Sequence, residues 1–282
     1  MFTAFPIFYA VGLTIGAPPA LLAGAILSAA ILGDNLAPIS DTTIISSPSQ
    51  RFRNRSGVAD IGGVVQHRAR YSLTAGAISS VLFPVFGQSL SADTAVVSQF
   101  GTAASPLPLL MLIPVAIMLI VAMVTRDIYK AVTVGLVLGS VTGLATGLLT
   151  PSMIMGVSDG TPTGVLFSGV NSAAMLTFGP VADELGACVG LHPYRRANVM
   201  DCFALGLASV VPVLSAYLFI GVLLTSGYEG TPGLSTFDLF PVTLYPLVLS
   251  AIMVLSVITG WGRTFEAADG SAVKTPPRQG AD

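Results

Sequence analysis

Four stretches of this chain run for about 19 to 23 residues without a charged side chain. They are 107–125 (LPLLMLIPVAIMLIVAMVT), 131–149 (AVTVGLVLGSVTGLATGLL), 203–224 and 239–261. A helix rising about 1.5 Å per residue needs that length to cross roughly 30 Å of hydrocarbon. A shorter apolar run covers 71–87. Only 9% of the 282 residues are charged, 53% are hydrophobic and mean hydropathy is +0.82. A soluble domain needs about 25% charged residues to face water, so lipid is the expected solvent. The expected fold is all-α: a polytopic helical membrane protein with broken or re-entrant helices.

The start, MFTAFPIFYA, has no basic segment ahead of its apolar residues, and it reads as a span rather than a removable leader. A net charge of −2 gives nucleic acid no electrostatic footprint. Cys188 and Cys202, the two cysteines, have no metal-ligand spacing and read as packed thiols. No cofactor is expected. The basic residues fall into groups at Arg51–Arg70, Arg126 with Lys130, Arg195 with Arg196, and Arg263–Arg278, while 89–105, 150–162 and 225–237 hold no Lys or Arg. The positive-inside rule then places the basic groups on the cytoplasmic face of the cell membrane. On that path the chain crosses at 71–87, 107–125, 131–149, 163–190, 203–224 and 239–261. The polar segment 263–282 is expected to be a disordered tail.

Gly135, Gly139, Gly143 and Gly147 recur every four residues and line one side of a helix. Such spacing lets a second helix approach closely in lipid.

The stretch GDNLAPISDTT, residues 33–43, follows the apolar run PPALLAGAILSAAIL. That run is too short to span alone, and Gly33 and Pro38 are expected to break its helix. Non-helical backbone at membrane depth is tolerated only where it is buried in protein or lines a polar cavity. Transporters build ion sites at such breaks. Asp34 and Asp41 supply negative charge; Asn35, Ser40, Thr42 and Thr43 supply neutral oxygens. This set suits a small hard cation such as Na⁺, with Asp34 and Asp41 as its charged ligands. A carboxylate in a low-dielectric site can also hold a proton instead of the cation, and that competition is the chemistry of antiport. The alternative is an extramembrane loop in which the two aspartates cap short helices.

A second polar stretch, NSAAMLTFGPVADELGA at 171–187, shares SAA(I/M)L and P-(I/V)-x-D with the first. Pro180 is its expected helix break, and Asn171, Ser172 and Asp183 are candidate partners of the first site. Internal duplication of this kind is common among secondary transporters.

GDNLAPISDTT resembles the G-D-x-x-S-P-[LI]-S-D-T-T signature of the NhaC-type Na⁺/H⁺ antiporter family in the ion transporter superfamily, with Ala37 in place of the usual serine. GLHPYRRANVMDCFALG, 190–206, is similar to that family's second-half pattern. The resemblance implies two inverted repeats, each with a polar break, and exchange of Na⁺ for H⁺. Family members are longer, so the chain is expected to be a shortened or partial member. The end of the first repeat would lie in 1–90 and the second repeat in 91–262. Expected partners are the bilayer, a monovalent cation and a proton, with a homodimer compatible with the sequence.

Two alternatives differ in chemistry. Relatives couple Na⁺ or H⁺ to an organic acid or amino acid, and a cationic side chain at the breaks discriminates them; neither motif contains one, although Arg195 and Arg196 lie nearby. An intramembrane aspartyl protease would use Asp34 with a second aspartate, but Ile31 stands where its G-x-G-D motif needs glycine.

Overall fold

A computed structural model describes residues 4–14, 16–89, 110, 112–125, 128–147, 163–226 and 233–276. The loops expected to lack Lys and Arg at 89–105 and 150–162 fall almost wholly outside the described residues, as do 227–232 of the third loop. Two compact units are present: residues Met1–Phe100 with Thr163–Asp282, and residues Gly101–Pro162. The first unit takes in chain from both sides of the division expected near residue 90.

The larger unit is built on α2 (Pro19–Leu36), α3 (Asp41–Ser46), α4 (Ile61–Ser89), α7 (Thr163–Cys188), α8 (Pro193–Leu205), α9 (Ala216–Thr225) and α11 (Leu244–Thr259). To these it adds α1 (Ala4–Thr14), the short α10 (Thr236–Leu239) and a hairpin of β1 (Phe265–Glu266) and β2 (Ala272–Val273). One apolar core joins Ile31, Tyr71, Leu205, Tyr245, Leu249 and Met253. A second gathers Phe5, Tyr9, Leu27, Leu218 and Leu239.

Among the described residues the regular structure is helical apart from that hairpin and two isolated bridges, Arg51 with Val58 and Leu191 with Phe265. Among the described residues, one helical stretch is long and apolar enough to cross a membrane, Pro19–Ser46, with mean hydropathy 1.7. Thr133–Ala145, Ala216–Thr225 and Leu244–Thr259 are shorter apolar helices.

The first break lies at 37–40, between α2 and α3. Pro38 pushes the residue before it out of the helical region, and Ala37 is extended at φ −73°, ψ 126°. Gly33 does not break the helix: α2 runs through it to Leu36, a tolerable cost of about 1 kcal/mol for glycine inside a helix. Pro180 does not break one either, because α7 is continuous around it. The second discontinuity is instead at 206–215, inside the stretch expected to span as 203–224. There α8 ends at Leu205 and α9 restarts behind Ser215, whose hydroxyl accepts from the Leu218 amide at 3.1 Å.

Two further expectations need correction. Arg68 and Arg70 belong to α4 rather than to a basic loop, and Arg68 is wholly buried. Residues 264–276 are ordered as the hairpin and its flanks, tied to the α7–α8 corner by His192 N–H to Thr264 O and Glu266 N–H to Gly190 O, both 3.0 Å. A two-residue ladder hides no charge pattern that would set it apart from a tail, so its polar composition misleads.

The smaller unit is described for α5 (Leu112–Thr125) and α6 (Ile128–Ala145), which pack on each other. A Cβ added at Gly135 would lie 2.7 Å from Met118 Sδ, whereas one at Gly139 would meet nothing within 4 Å. The small-residue face is therefore used for close approach at Gly135.

Candidate functional site

The helices flanking the α2–α3 break meet α8 around Arg68 of α4. Arg68 Nη1 donates to Asp201 Oδ2 at 2.7 Å and to Asn35 Oδ1 at 3.4 Å; Nη2 donates to Thr43 Oγ1 at 2.6 Å. Ser46 Oγ donates to the same Asp201 oxygen at 2.8 Å. Arg68 and Asp201 are both completely shielded from solvent. A buried ion pair needs further hydrogen bonds to its remaining atoms, and here Asn35 of α2 with Thr43 and Ser46 of α3 supply some of them.

Asn35 completes the cluster on its other side. Its amide nitrogen donates one hydrogen to Ser72 Oγ and one to Tyr245 Oη, each at 2.8 Å, while its oxygen faces Arg68. Two donors and one acceptor each meet a suitable partner, so the orientation of the amide follows from the network. Asp34, one residue earlier, accepts from Tyr217 Oη of α9 at 2.9 Å. Each end of the first break thus touches an element beside the second: Asp34 touches α9, while Thr43 and Ser46 reach Asp201 of α8 directly or through Arg68.

Three buried polar atoms of this region have no hydrogen-bond partner: Asp201 Oδ1, Arg68 Nε and, one turn before Asp201, Asn198 Oδ1. Unsatisfied buried groups cost roughly 1–3 kcal/mol each. Asp201 Oδ1 and Asn198 Oδ1 can each accept a further bond, and Arg68 Nε can donate one.

The other expected residues divide. Ser40 and Thr42 are buried and share a hydroxyl–hydroxyl bond of 2.9 Å. Asp41 is exposed and accepts from the Thr42 amide at 2.9 Å. Asn171 and Ser172 lie on α7, and their side chains fall outside the described residues. Asp183 is spoken for elsewhere. Its oxygens take the Arg51 amide at 2.9 Å, Arg53 Nη2 at 3.0 Å and Arg196 Nη1. Glu266 lies beside it, accepting from the Arg53 and Asn54 amides at 2.8 Å. This network fixes the 51–54 loop to α7, α8 and the hairpin, and it places Asp183 among arginines, away from the first break.

Sequence reasoning missed Arg68, Asp201, Tyr217 and Tyr245. Arg68 was legible as an arginine seven residues into a helix with an apolar second half. Asp201 was legible as the single acid of the α8 sequence.

At the α8 N-terminus His192 caps the helix. Its Nδ1 accepts from Tyr194 N–H at 3.2 Å and its Nε2–H donates to Gly270 O at 3.3 Å, which selects the neutral ring. Burial pushes this imidazole down to about 4, against an ordinary 6.5. The Tyr194 hydroxyl donates to Asp60, and that bond holds the Asp60 carboxyl below its usual range.

Over 78 residues the chain is 37% identical to the malate-2H(+)/Na(+)-lactate antiporter of Bacillus subtilis (strain 168). The aligned part is 28% of this chain and 15% of that antiporter's length. No family model matches the sequence, and no solved structure matches it. The relative found is thus a transporter rather than an enzyme.

Proposed function

We propose that this chain forms the break-containing part of a secondary active transporter that couples Na⁺ or H⁺ to a small organic acid. The observation that carries this reading is Arg68, a guanidinium at the α2–α3 break in contact with Asn35 and Thr43 and neutralised by Asp201. A cationic side chain at that place is what separates organic-anion coupling from cation-only exchange. The antiporter to which part of the chain is similar, named for malate and lactate, supports the same choice.

The chemistry follows from competition for one guanidinium. With Asp201 ionised, Arg68 has its counter-charge within the protein. A proton on Asp201 removes that partner and leaves Arg68 an uncompensated buried cation, which a cargo carboxylate then neutralises. Proton and organic anion would bind together because neither leaves a bare charge in low dielectric. Asp34, held by Tyr217, with Ser40, Thr42 and Thr43, would serve the cation.

Na⁺/H⁺ exchange without organic cargo is the second reading, favoured by the convergence of Asp34 and Asp201 at the break against a single arginine. Vesicles containing the chain and a pH-sensitive dye separate the two. Proton movement driven by a Na⁺ gradient that requires malate or lactate on the opposite side supports the first reading; equal movement without either acid supports the second. Absence of both, with the protein folded, sinks both.

A further inference from the structure

We infer that a cavity beside the α7–α8 corner is a binding site for one anionic glycerophospholipid, with its phosphate on Arg195 and Arg263. The cavity is about 400 Å³ and is lined by Val189, Val199, Val257 and Phe265 together with Arg195 and Arg263. That volume falls within the usual range for pockets that enclose a small molecule or part of a chain.

The charge balance of this cavity points to its occupant. Arg195 is buried, yet its guanidinium meets only neutral groups: Nη1 donates to Tyr71 Oη at 2.6 Å and Nη2 to Ser256 Oγ at 2.9 Å. Arg263 Nη2 donates to the Val257 carbonyl at 2.9 Å. Among the described residues neither arginine has a carboxylate within ion-pair distance. The nearby acid Glu266 is committed to Arg196 and to two loop amides. Arg195 also lies 5.3 Å from the Tyr71 ring centroid. A buried arginine without a counter-ion is costly, and a phosphate here would supply one.

Position selects the lipid over a free anion. The cavity adjoins the C-terminal end of α11, an apolar helix, where Trp261 is 47% exposed. Tryptophan at the end of an apolar helix marks the headgroup level of a bilayer, and basic pockets between helices at that level suit anionic headgroups. The apolar walls then take the first part of an acyl chain. This site rests on the reading of the chain as membrane-embedded, and it is separate from the Arg68 cluster.

Trp261 is the single tryptophan of the chain and packs edge-on against Tyr71 at 5.2 Å, so its fluorescence reports on the site. The test uses the full chain in neutral detergent, titrated with dihexanoyl phosphatidylglycerol, dihexanoyl phosphatidylcholine or inorganic phosphate. Phosphatidylglycerol is expected to give a saturable change, phosphatidylcholine a response about tenfold weaker, and phosphate none. Arg263→Gln, at an exposed position that leaves the fold intact, is expected to weaken phosphatidylglycerol about tenfold, with Arg263→Lys in between. Equal responses to the two lipids, an equal response to phosphate, or no effect of Arg263→Gln each overturn the proposal. Transport in pure phosphatidylcholine vesicles tests the transport reading independently, so either can fail while the other stands.

Discussion

The Arg68 guanidinium and the Asp201 carboxylate meet at 2.7 Å, both fully buried and 133 positions apart in sequence. Removing one member leaves the other as an unpaired charge in the interior. Asp201→Leu or Arg68→Met alone is therefore expected to destabilise by about 3–5 kcal/mol, whereas the double variant recovers much of that loss. Thermal unfolding of the four proteins in detergent measures it. Additive losses would show that the two groups do not act as a pair, and transport should remain absent even in the recovered double variant.

Asp34 and Tyr217 give a milder probe. Tyr217→Phe keeps the ring and removes the hydroxyl that donates to Asp34. The loss of one hydrogen bond to a charged group is worth about 1.5–3 kcal/mol, so the apparent Na⁺ affinity should fall about tenfold or more while folding persists. Unchanged Na⁺ dependence in vesicles would remove Asp34 from the cation site.

Asp183 should behave oppositely. Asp183→Asn strips the charge from a group shared by Arg53, Arg196 and the Arg51 amide. Stability is expected to drop by about 3 kcal/mol. The protein that remains folded should keep its Na⁺ dependence. Altered ion selectivity in that folded fraction would restore Asp183 to the ion pathway.

In the smaller unit, Gly135→Ala should destabilise by about 1–3 kcal/mol because the new methyl meets Met118, while Gly139→Ala should be neutral or slightly stabilising. Comparing their melting curves distinguishes a packing face from an evenly spaced but idle glycine row.

His192 sets a pH dependence. Its folded value, about 4, lies below the ordinary 6.5, so the unfolded chain binds the proton more readily. Its contribution to stability is present above about 6.5 and is lost as pH falls towards 4. His192→Asn keeps a capping acceptor and removes this titration. Melting temperatures of the two proteins should therefore converge or cross between pH 7 and pH 4.5; parallel curves would exclude His192.

The break at Pro38 was legible because proline acts on its own neighbour, a local effect that needs no tertiary information. Gly33 was misleading for the same kind of reason: glycine permits a break without compelling one. The second discontinuity at 206–215 was hidden because hydropathy counts apolar side chains and is blind to whether the backbone between them is helical. Arg68 stood so close to the arginine-rich loop that a topological reading absorbed it, and its partner Asp201 shares no periodicity with it. Pairings across more than a hundred residues are set by packing of whole helices.

The hairpin clamp has a consequence for the order of assembly. The Arg53 and Asn54 amides, made early, find their acceptor only in Glu266, 213 and 212 positions later. Contacts of such sequence separation form slowly, because the intervening chain must be gathered first. While the chain is being synthesised, Asp183 can already meet Arg51, Arg53 and Arg196, but the Arg53 and Asn54 amides lack their acceptor until residue 266 arrives. The α7–α8 corner is thus among the last parts of the larger unit to set.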